Sequence, residues 1–353
     1  MKDGIEYFRQ QILHAGTHGT PLQLRGGGTK DWYGETPHGT VLDTRAHCGI
    51  VDYDPTELVI TARCGTPLAD IEATLAEKNQ MFAFEPPHFS DGATVGGVVA
   101  SGLSGPRRAS AGAVRDFMLG VVLMDGSGEV LHFGGQVMKN VAGYDVSRLL
   151  AGSLGTLGLI LEASIKVLPK PFAEHTLRLS MTQTEALMQL NRWGGQPLPI
   201  SASVWCDGQL TLRLSGARAA VAAAENNIGG ESVAHADAFW RDIREQSDAF
   251  FTRTHQALWR LSVPSTTPPI ALPGQQLIEW GGAQRWLQTD AEATQVRAAA
   301  SAAGGHATLY VGNDRAVGVF HPLAPAVAAI HRRMKASFDP SGIFNPGRLY
   351  PEF

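Results

Sequence analysis

The chain is poor in the residues that many functional classes depend on. It has three cysteines, Cys48, Cys64 and Cys206, far apart and without a C-x-x-C pair, so neither a zinc ribbon nor an iron–sulfur cluster finds its ligands here, and no metal site is expected. Cys64 and Cys206 end apolar runs and read as buried, inert thiols. Charged residues make up only 18% of the chain, the net charge is −4, and no run of Lys and Arg tracks one face, which excludes nucleic acid as the main partner. Continuous apolar runs of about 18 residues are missing, and "MKDGIEYFRQQ" lacks the apolar core of a signal peptide. The expectation is a cytoplasmic chain that meets the inner face of a membrane only through partners. Nucleotide fingerprints fail too: "RGGGTK" is not G-x-x-x-x-G-K-[ST], and "GSLGTLG" precedes a strand instead of following one.

Glycine, by contrast, is abundant. The stretch "EPPHFSDGATVGGVVASGLSG", Glu85 to Gly105, carries two prolines and five glycines among small residues. It buries too little apolar area to make a core, and glycine is selected where the backbone takes positive φ or a ligand lies against it. Three such loops, Gly26 to Gly28, Gly96 to Gly105 and Gly143 to Gly158, would together suit one extended polyanion, and a dinucleotide pyrophosphate meets that demand.

The order of elements supports two lobes and a tail. "IEYFRQQILHA" places Ile5, Phe8 and Ile12 on one helical face, "TPLQL" and "ELVITA" read as strands, and Thr66-Pro67 caps a helix through Leu68, Ile71 and Leu75. "FMLGVVLMDGSGEVLHFGG" is a hairpin turning at Asp125-Gly126, and Pro169 and Pro171 stop the strand that follows it. From Phe172 the pattern becomes strand, helix, hairpin, helix, which predicts a ferredoxin-like α+β layer. The Trp-Gly-Gly triplets at Trp193 and Trp280 have unlike surroundings and mark no internal repeat. The expected division is 1–171, 172–322 for a smaller α+β cap, and 323–353 for a helix and a tail whose Phe338, Ile343, Phe344 and Leu349 dock on the first lobe.

"PLQLRGGGTK", "EPPHFSDGATVGGVVASG", "GAVRDFMLGVVLMDGSGEV", "MKNVAGYDVSRLLAGSLGTLGLILEASIKVLPKP" and "MKASFDPSGIFNPGR" occur in an order that resembles the PCMH-type FAD-binding fold of vanillyl-alcohol-oxidase-like flavoproteins. "YDPTELVITAR", "GPRR", "VMKNVAGYD" and "GGHAT" extend the likeness to the FAD-binding subunits of glycolate oxidase complexes. The resemblance implies an α+β fold, with a two-lobed FAD domain and a ferredoxin-like second domain. It further implies FAD contacts from Arg25, Gly26, Gly27, Gly28, Thr29, Lys30, Pro87, Thr94, Val95, Gly96, Gly97, Ala100, Ser101, Gly112, Arg115, Asp116, Gly155, Gly158 and Ile160. The segments 25–30 and 94–101 would give backbone N–H groups to the pyrophosphate. Thr29 stands where some relatives tether the flavin through histidine, so a non-covalent cofactor is expected.

Oxidising a 2-hydroxy acid needs a base at the hydroxyl and a cation for the carboxylate. His88, Arg107, Arg108, His306 and Arg315 are the candidates, with His306, Arg107 and Arg108 foremost. The H-x-G-D-G-N segment of catalytic 2-hydroxy-acid relatives is missing, and only "GGHATLYVGND" stands in its region. The resemblance therefore implies an accessory or electron-relay subunit of a glycolate-to-glyoxylate complex, working with a catalytic flavoprotein of the same fold and an iron–sulfur subunit. The alternative is a self-sufficient FAD-dependent dehydrogenase of glycolate or D-lactate. For a partner surface, Trp240, Phe250, Phe251, Trp259, Trp280 and Trp286 are candidates, unless they are core.

Overall fold

A computed structural model describes residues 2–135, 145–252, 256–312 and 314–353. Gly143 and most of "MKNVAGYD" lie outside them. The helix Lys2–His18 buries Phe8 and Ile12, as its spacing predicts. It leads into the strand Leu22–Arg25, paired in parallel with Thr40–Asp43. Beside this pair stands an antiparallel five-stranded sheet in the order Ile50–Asp54, Val59–Arg63, Leu159–Lys166, Met118–Met124, Val130–Gly134. The expected hairpin forms its last two strands, with Asp125 Oδ1 accepting from the Ser127 and Glu129 amides inside the turn. One expectation shifts by a residue: the helix Leu68–Glu77 takes Pro67 as its N-cap, because the Thr66 hydroxyl is tied instead to Gly49 and Arg63. A core of Leu68, Ile71, Leu75, Phe84, Val98, Val99 and Leu123 fills the space between this sheet and its helices.

The second lobe is larger than one ferredoxin-like layer. Its eight strands run Glu231–Ser232, Ala173–Ser180, Gln209–Gly216, Ile200–Cys206, Gln275–Glu279, Gln284–Thr289, Ala257–Ser262, His306–Val311, all antiparallel. Numbered within each half, the order is 4-1-3-2 and then 2-3-1-4, so two ferredoxin-like units join through their second strands. A repeat of topology therefore exists although none of sequence does. The loop 263–274 replaces the first helix of the second unit, which hides the likeness.

The two faces of this sheet differ because strand residues alternate in direction. One face presents Leu177, Leu210, Leu212, Leu214, Leu261, Leu287, Ala307 and Leu309 to the helices Gln183–Gly194, Arg218–Ile228 and Ala293–Ala302. The other is turned to the first lobe and includes Thr176, Arg213, Glu279, Gln284, Gln288 and Thr308, all buried. Between the lobes lies an apolar seam in which Tyr33, Leu103 and Leu154 meet Trp240, Leu277, Trp286 and Tyr310. Of the aromatic residues weighed as a partner surface, Trp240, Phe250, Trp259 and Trp286 are buried and Phe251 packs edge-on to Trp286, while Trp280 is half-buried against Arg108. The core reading holds over the interface reading for the five other than Trp280.

Candidate functional site

The strand Leu22–Arg25 ends in the first glycine loop at the mouth of a long groove. Among the described residues, the backbone N–H groups of Gly26, Gly27, Gly28, Thr29 and Lys30 meet no acceptor in the chain. Five successive amides without partners on a groove wall form a nest for an anion, since unpaired backbone donors are otherwise rare. The loop cannot relax away: a Cβ at Gly27 would overlap the Gly92 carbonyl oxygen, one at Gly26 would strike Thr94 Oγ1, and Gly28 holds φ +73°. Its far end is fixed by Arg348, whose guanidinium donates to the carbonyls of Lys30, Asp31 and Glu35. Burial brings Arg348 down to about 10 and Lys30 to about 8, the Lys30 ammonium being partly supported by Glu245. Both cations would gain from an anion in the groove.

The second glycine segment works differently from the sequence expectation. It forms the helix Val95–Ser101, capped by Thr94, and its first amides are already committed: Val95 to the Thr66 carbonyl, Gly96 to the Cys64 carbonyl, Gly97 to Thr94 Oγ1. What it gives the groove is a bare face of Gly97, Ala100 and Ser101. A Cβ on Gly97 would meet only Thr94 Oγ1, at 3.4 Å, and otherwise open space. Gly96 is small for another reason, since its Cβ would press into Cys64.

Past Gly97 the polar trough becomes an apolar slot lined by Leu24, Cys64, Leu154, Gly155, Leu159 and Ile160, with Gly158 beside them. The two share Leu24, Arg25, Gly26, Gly97, Ala100 and Leu154, so they form one channel, polar then apolar. Burial pushes the Cys64 thiol up to about 12, which keeps it protonated and unreactive. The tail closes this channel. Asn345 accepts from the Leu24 amide and donates to the Leu154 carbonyl, and the buried Lys335 ammonium holds Asp339 together with the carbonyls of Thr156 and Phe344. Asn345, Arg348 and Lys335 were missed in the sequence, although "FNPGR" sets an Asn and an Arg around a Pro-Gly turn in an apolar tail.

Of the expected flavin contacts, Arg25 to Lys30, Thr94, Gly96, Gly97, Ala100, Ser101, Gly155, Gly158 and Ile160 line the channel. Val95 is buried beneath it, and Pro87 lines a separate small cavity under the second lobe. Gly112 ends the short helix Arg108–Ala111, and Arg115 and Asp116 lie in the next, Val114–Phe117, where Asp116 accepts from the Ala113 amide and pairs with Arg115 at 3.9 Å. Among the catalytic candidates, Arg107 is buried and bound to Glu85 and Glu174, and His88 contacts Glu72 at 2.9 Å. Arg315 donates to the carbonyls of Trp32 and Gly34. Arg108 lies 4.4 Å from the Trp280 ring centre, and His306 is exposed on the edge strand. Partial burial first, and then the charges of Arg260, His321 and Arg108, lower the His306 imidazole below its ordinary value, so His306 and Arg108 share a neighbourhood, while Arg107, His88 and Arg315 are each engaged elsewhere. No group of three His, Cys, Asp or Glu side chains among the described residues would hold a metal ion.

Comparison with known proteins adds the decisive observation. Residues 9–134 match the family described as "FAD binding domain", and residues 284–349 the "FAD linked oxidases, C-terminal domain". The glycolate oxidase subunit GlcE of Escherichia coli is 49% identical over 99% of this chain and 98% of its own length. This chain belongs to the GlcE family. Its cofactor is accordingly FAD, and the unpaired amide nest, the bare Gly97 face and the apolar slot are the features such a dinucleotide needs. The glycolate oxidase subunit GlcD of Bacillus subtilis is 32% identical over 49% of the chain and 37% of its own length. The GlcE-family fold is that of 4-ethylphenol oxidase from Gulosibacter chungangensis, with a TM-score of 0.71 and 14% identity over 99% of this chain and 88% of that one. An alkyldihydroxyacetonephosphate synthase shares it at a TM-score of 0.64 and 16% identity, over 97% and 74% of the two chains.

Proposed function

We propose that this chain is the FAD-carrying subunit of a complex that oxidises glycolate to glyoxylate, relaying electrons within it. The observation that carries the reading is the nest of five unpartnered amides at the head of a polar-to-apolar channel, in a chain alike along its whole length to a glycolate oxidase subunit. Residues 26–30 hold the pyrophosphate, Arg348 and Lys30 add positive field, and the slot around Leu159 and Ile160 takes a flat ring. FAD, when bound, would supply a two-electron redox centre able to take up electrons from the catalytic subunit and pass them on. The attachment is non-covalent: Thr29 carries no nucleophile of the kind that tethers flavin, its hydroxyl accepting from Lys30 Nζ, and Cys64 stays a thiol. A catalytic flavoprotein of the same fold and an iron–sulfur subunit are the partners, because three scattered cysteines leave this chain no cluster of its own. Among the described residues no helix is long and apolar enough to cross a membrane, which is in keeping with a cytoplasmic place at the membrane's inner face through those partners.

The test is direct. The purified chain should be yellow and release all flavin to the supernatant on acid precipitation, while flavin kept in the pellet refutes the non-covalent reading. Deleting the chain should abolish glycolate-dependent dye reduction in extracts, restored only by co-expression with the other subunits. Undiminished oxidation without it refutes the relay.

A further inference from the structure

The first glycine loop does not hold its shape unaided. The segment 85–92 stands behind it, with the Gly92 carbonyl oxygen where a Cβ of Gly27 would fall, the Phe89 ring edge-on to Trp32 at 5.2 Å, and the His88 carbonyl accepting from Lys30 Nζ at 3.4 Å. That segment is itself held from the second lobe. Phe89 has φ +62°, a left-handed value that a bulky residue takes only where its surroundings impose it, and the turn aims two successive amides, His88 and Phe89, at one point. The point is occupied by Oε2 of Glu245, at 2.9 and 2.7 Å, while Oε1 accepts from Arg244 Nε. Glu245 is the last residue of the helix Ala236–Glu245, where the helix dipole disfavours a negative charge. The two amides offset that cost, and they belong to the other lobe. Glu245 also carries the negative charge that acts on the Lys30 ammonium, which lies 5.3 Å from the centre of the Phe89 ring. One carboxylate of the second lobe thus supports both the backbone behind the nest and the cation beside it.

We propose that Glu245 is a positioning residue for FAD, through which the seating of the second lobe sets the shape and the charge of the nest at residues 26–30. The inference rests on the flavin-subunit reading and deepens it: cofactor binding and contact between the lobes become one coupled event, although among the described residues no side chain of the eight-stranded lobe lines the polar trough. The charged groups around Lys30 are Arg25 and Asp31, paired with each other on its own loop, His88, held by Glu72, behind it, Glu245 and Arg244 from the second lobe, and Arg348 from the tail. Burial lowers Lys30 to about 8, and Glu245 opposes the fall. An anion beside Lys30 favours its charged form, so affinity for FAD is highest below that value and declines as pH rises through it. Without the Glu245 charge the decline begins at lower pH.

Equilibrium dilution of the flavin-loaded full chain, with the freed FAD read by its fluorescence from about pH 6 to about pH 9, tests this. Glu245→Ala removes both acceptor and charge and should weaken binding at least about tenfold near neutral pH. Glu245→Gln keeps an oxygen for the two amides and should weaken it less, with its decline displaced to lower pH than in the wild-type chain. Lys30→Met should bind FAD more weakly and show no such decline. All measurements are made below the melting temperature of every variant, determined on the same samples, so that unfolding is not counted as lost affinity. Wild-type affinity in Glu245→Ala overturns the proposal. A Glu245→Gln profile parallel to that of the wild-type chain leaves the residue a structural role alone and overturns it equally. A wild-type chain that takes up no FAD refutes the flavin-subunit reading and this inference with it, whereas a yellow wild-type chain whose Glu245 variants match it refutes this inference alone.

Discussion

Glu279→Gln should make this protein more stable at alkaline pH and change little in mild acid. Glu279 is 4% exposed, and burial pushes its carboxyl from the ordinary 4.5 up to about 7; the bonds from Trp286 Nε1 and Gln284 Nε2 oppose the rise, and the nearby Glu85 adds to it. Between those two values the folded chain keeps a proton that the unfolded chain has lost, so stability falls as pH rises and the loss is complete above the folded value. A difference of two to three units corresponds to a loss on the order of 3 kcal/mol. Glutamine does not titrate, and its carbonyl oxygen still accepts from Trp286 and Gln284. Any fixed cost of its NH₂ group is the same at every pH, so only the slope is diagnostic. Urea unfolding of both proteins from about pH 5 to about pH 8 should show the stability gap moving in the variant's favour by a few kcal/mol. A gap that stays flat across that range would show that Glu279 is ionised in the folded chain, and the burial argument would be wrong.

Gly97→Val should empty the channel of FAD while the apoprotein melts within a few degrees of wild type, because its side chain enters open space; absorbance after gel filtration and a thermal scan check both. Gly27→Ala should lose flavin and also stability, since its Cβ would collide with the Gly92 backbone, and an equally stable apoprotein would contradict the packing of these loops. Lys335→Met leaves the Asp339 carboxylate buried without its cation and should cost about 3–5 kcal/mol in urea unfolding, with weaker flavin retention as the tail loosens.

Much of the first lobe was legible because its signals are local. The apolar spacing of Ile5, Phe8 and Ile12, the Asp125 turn and the glycines of "RGGGTK" each act within a few residues. What the glycines are for was only half legible. Gly26, Gly27 and Gly96 are small because another chain segment presses on them, and Gly97 because the channel needs the room. Sequence shows that a side chain is missing but not which neighbour would have met it. The second half of the large sheet was harder to read, since "QRWLQT" and "ALWRLS" carry polar residues on the inward face and look half-exposed while both faces are covered. Asn345 and Lys335 act on residues more than a hundred positions away, which no local pattern records.

The same inward polarity explains why the site reading had to shift. A sheet face covered by another lobe would ordinarily be apolar, because each buried polar group must find a partner to offset its lost hydration. Here Arg213 reaches Glu85, Trp240 donates to Thr176, and Gln284 and Trp286 converge on Glu279, so much of the polar face is spent on holding itself and the two lobes in register. Arg107, the more prominent candidate in the sequence, belongs to that joinery. Arg260 joins it too, by a hydrogen bond to the Tyr33 hydroxyl and contact with the Tyr33 and Tyr310 rings, and a residue flanked by Trp and Leu in a strand gives no sign of that.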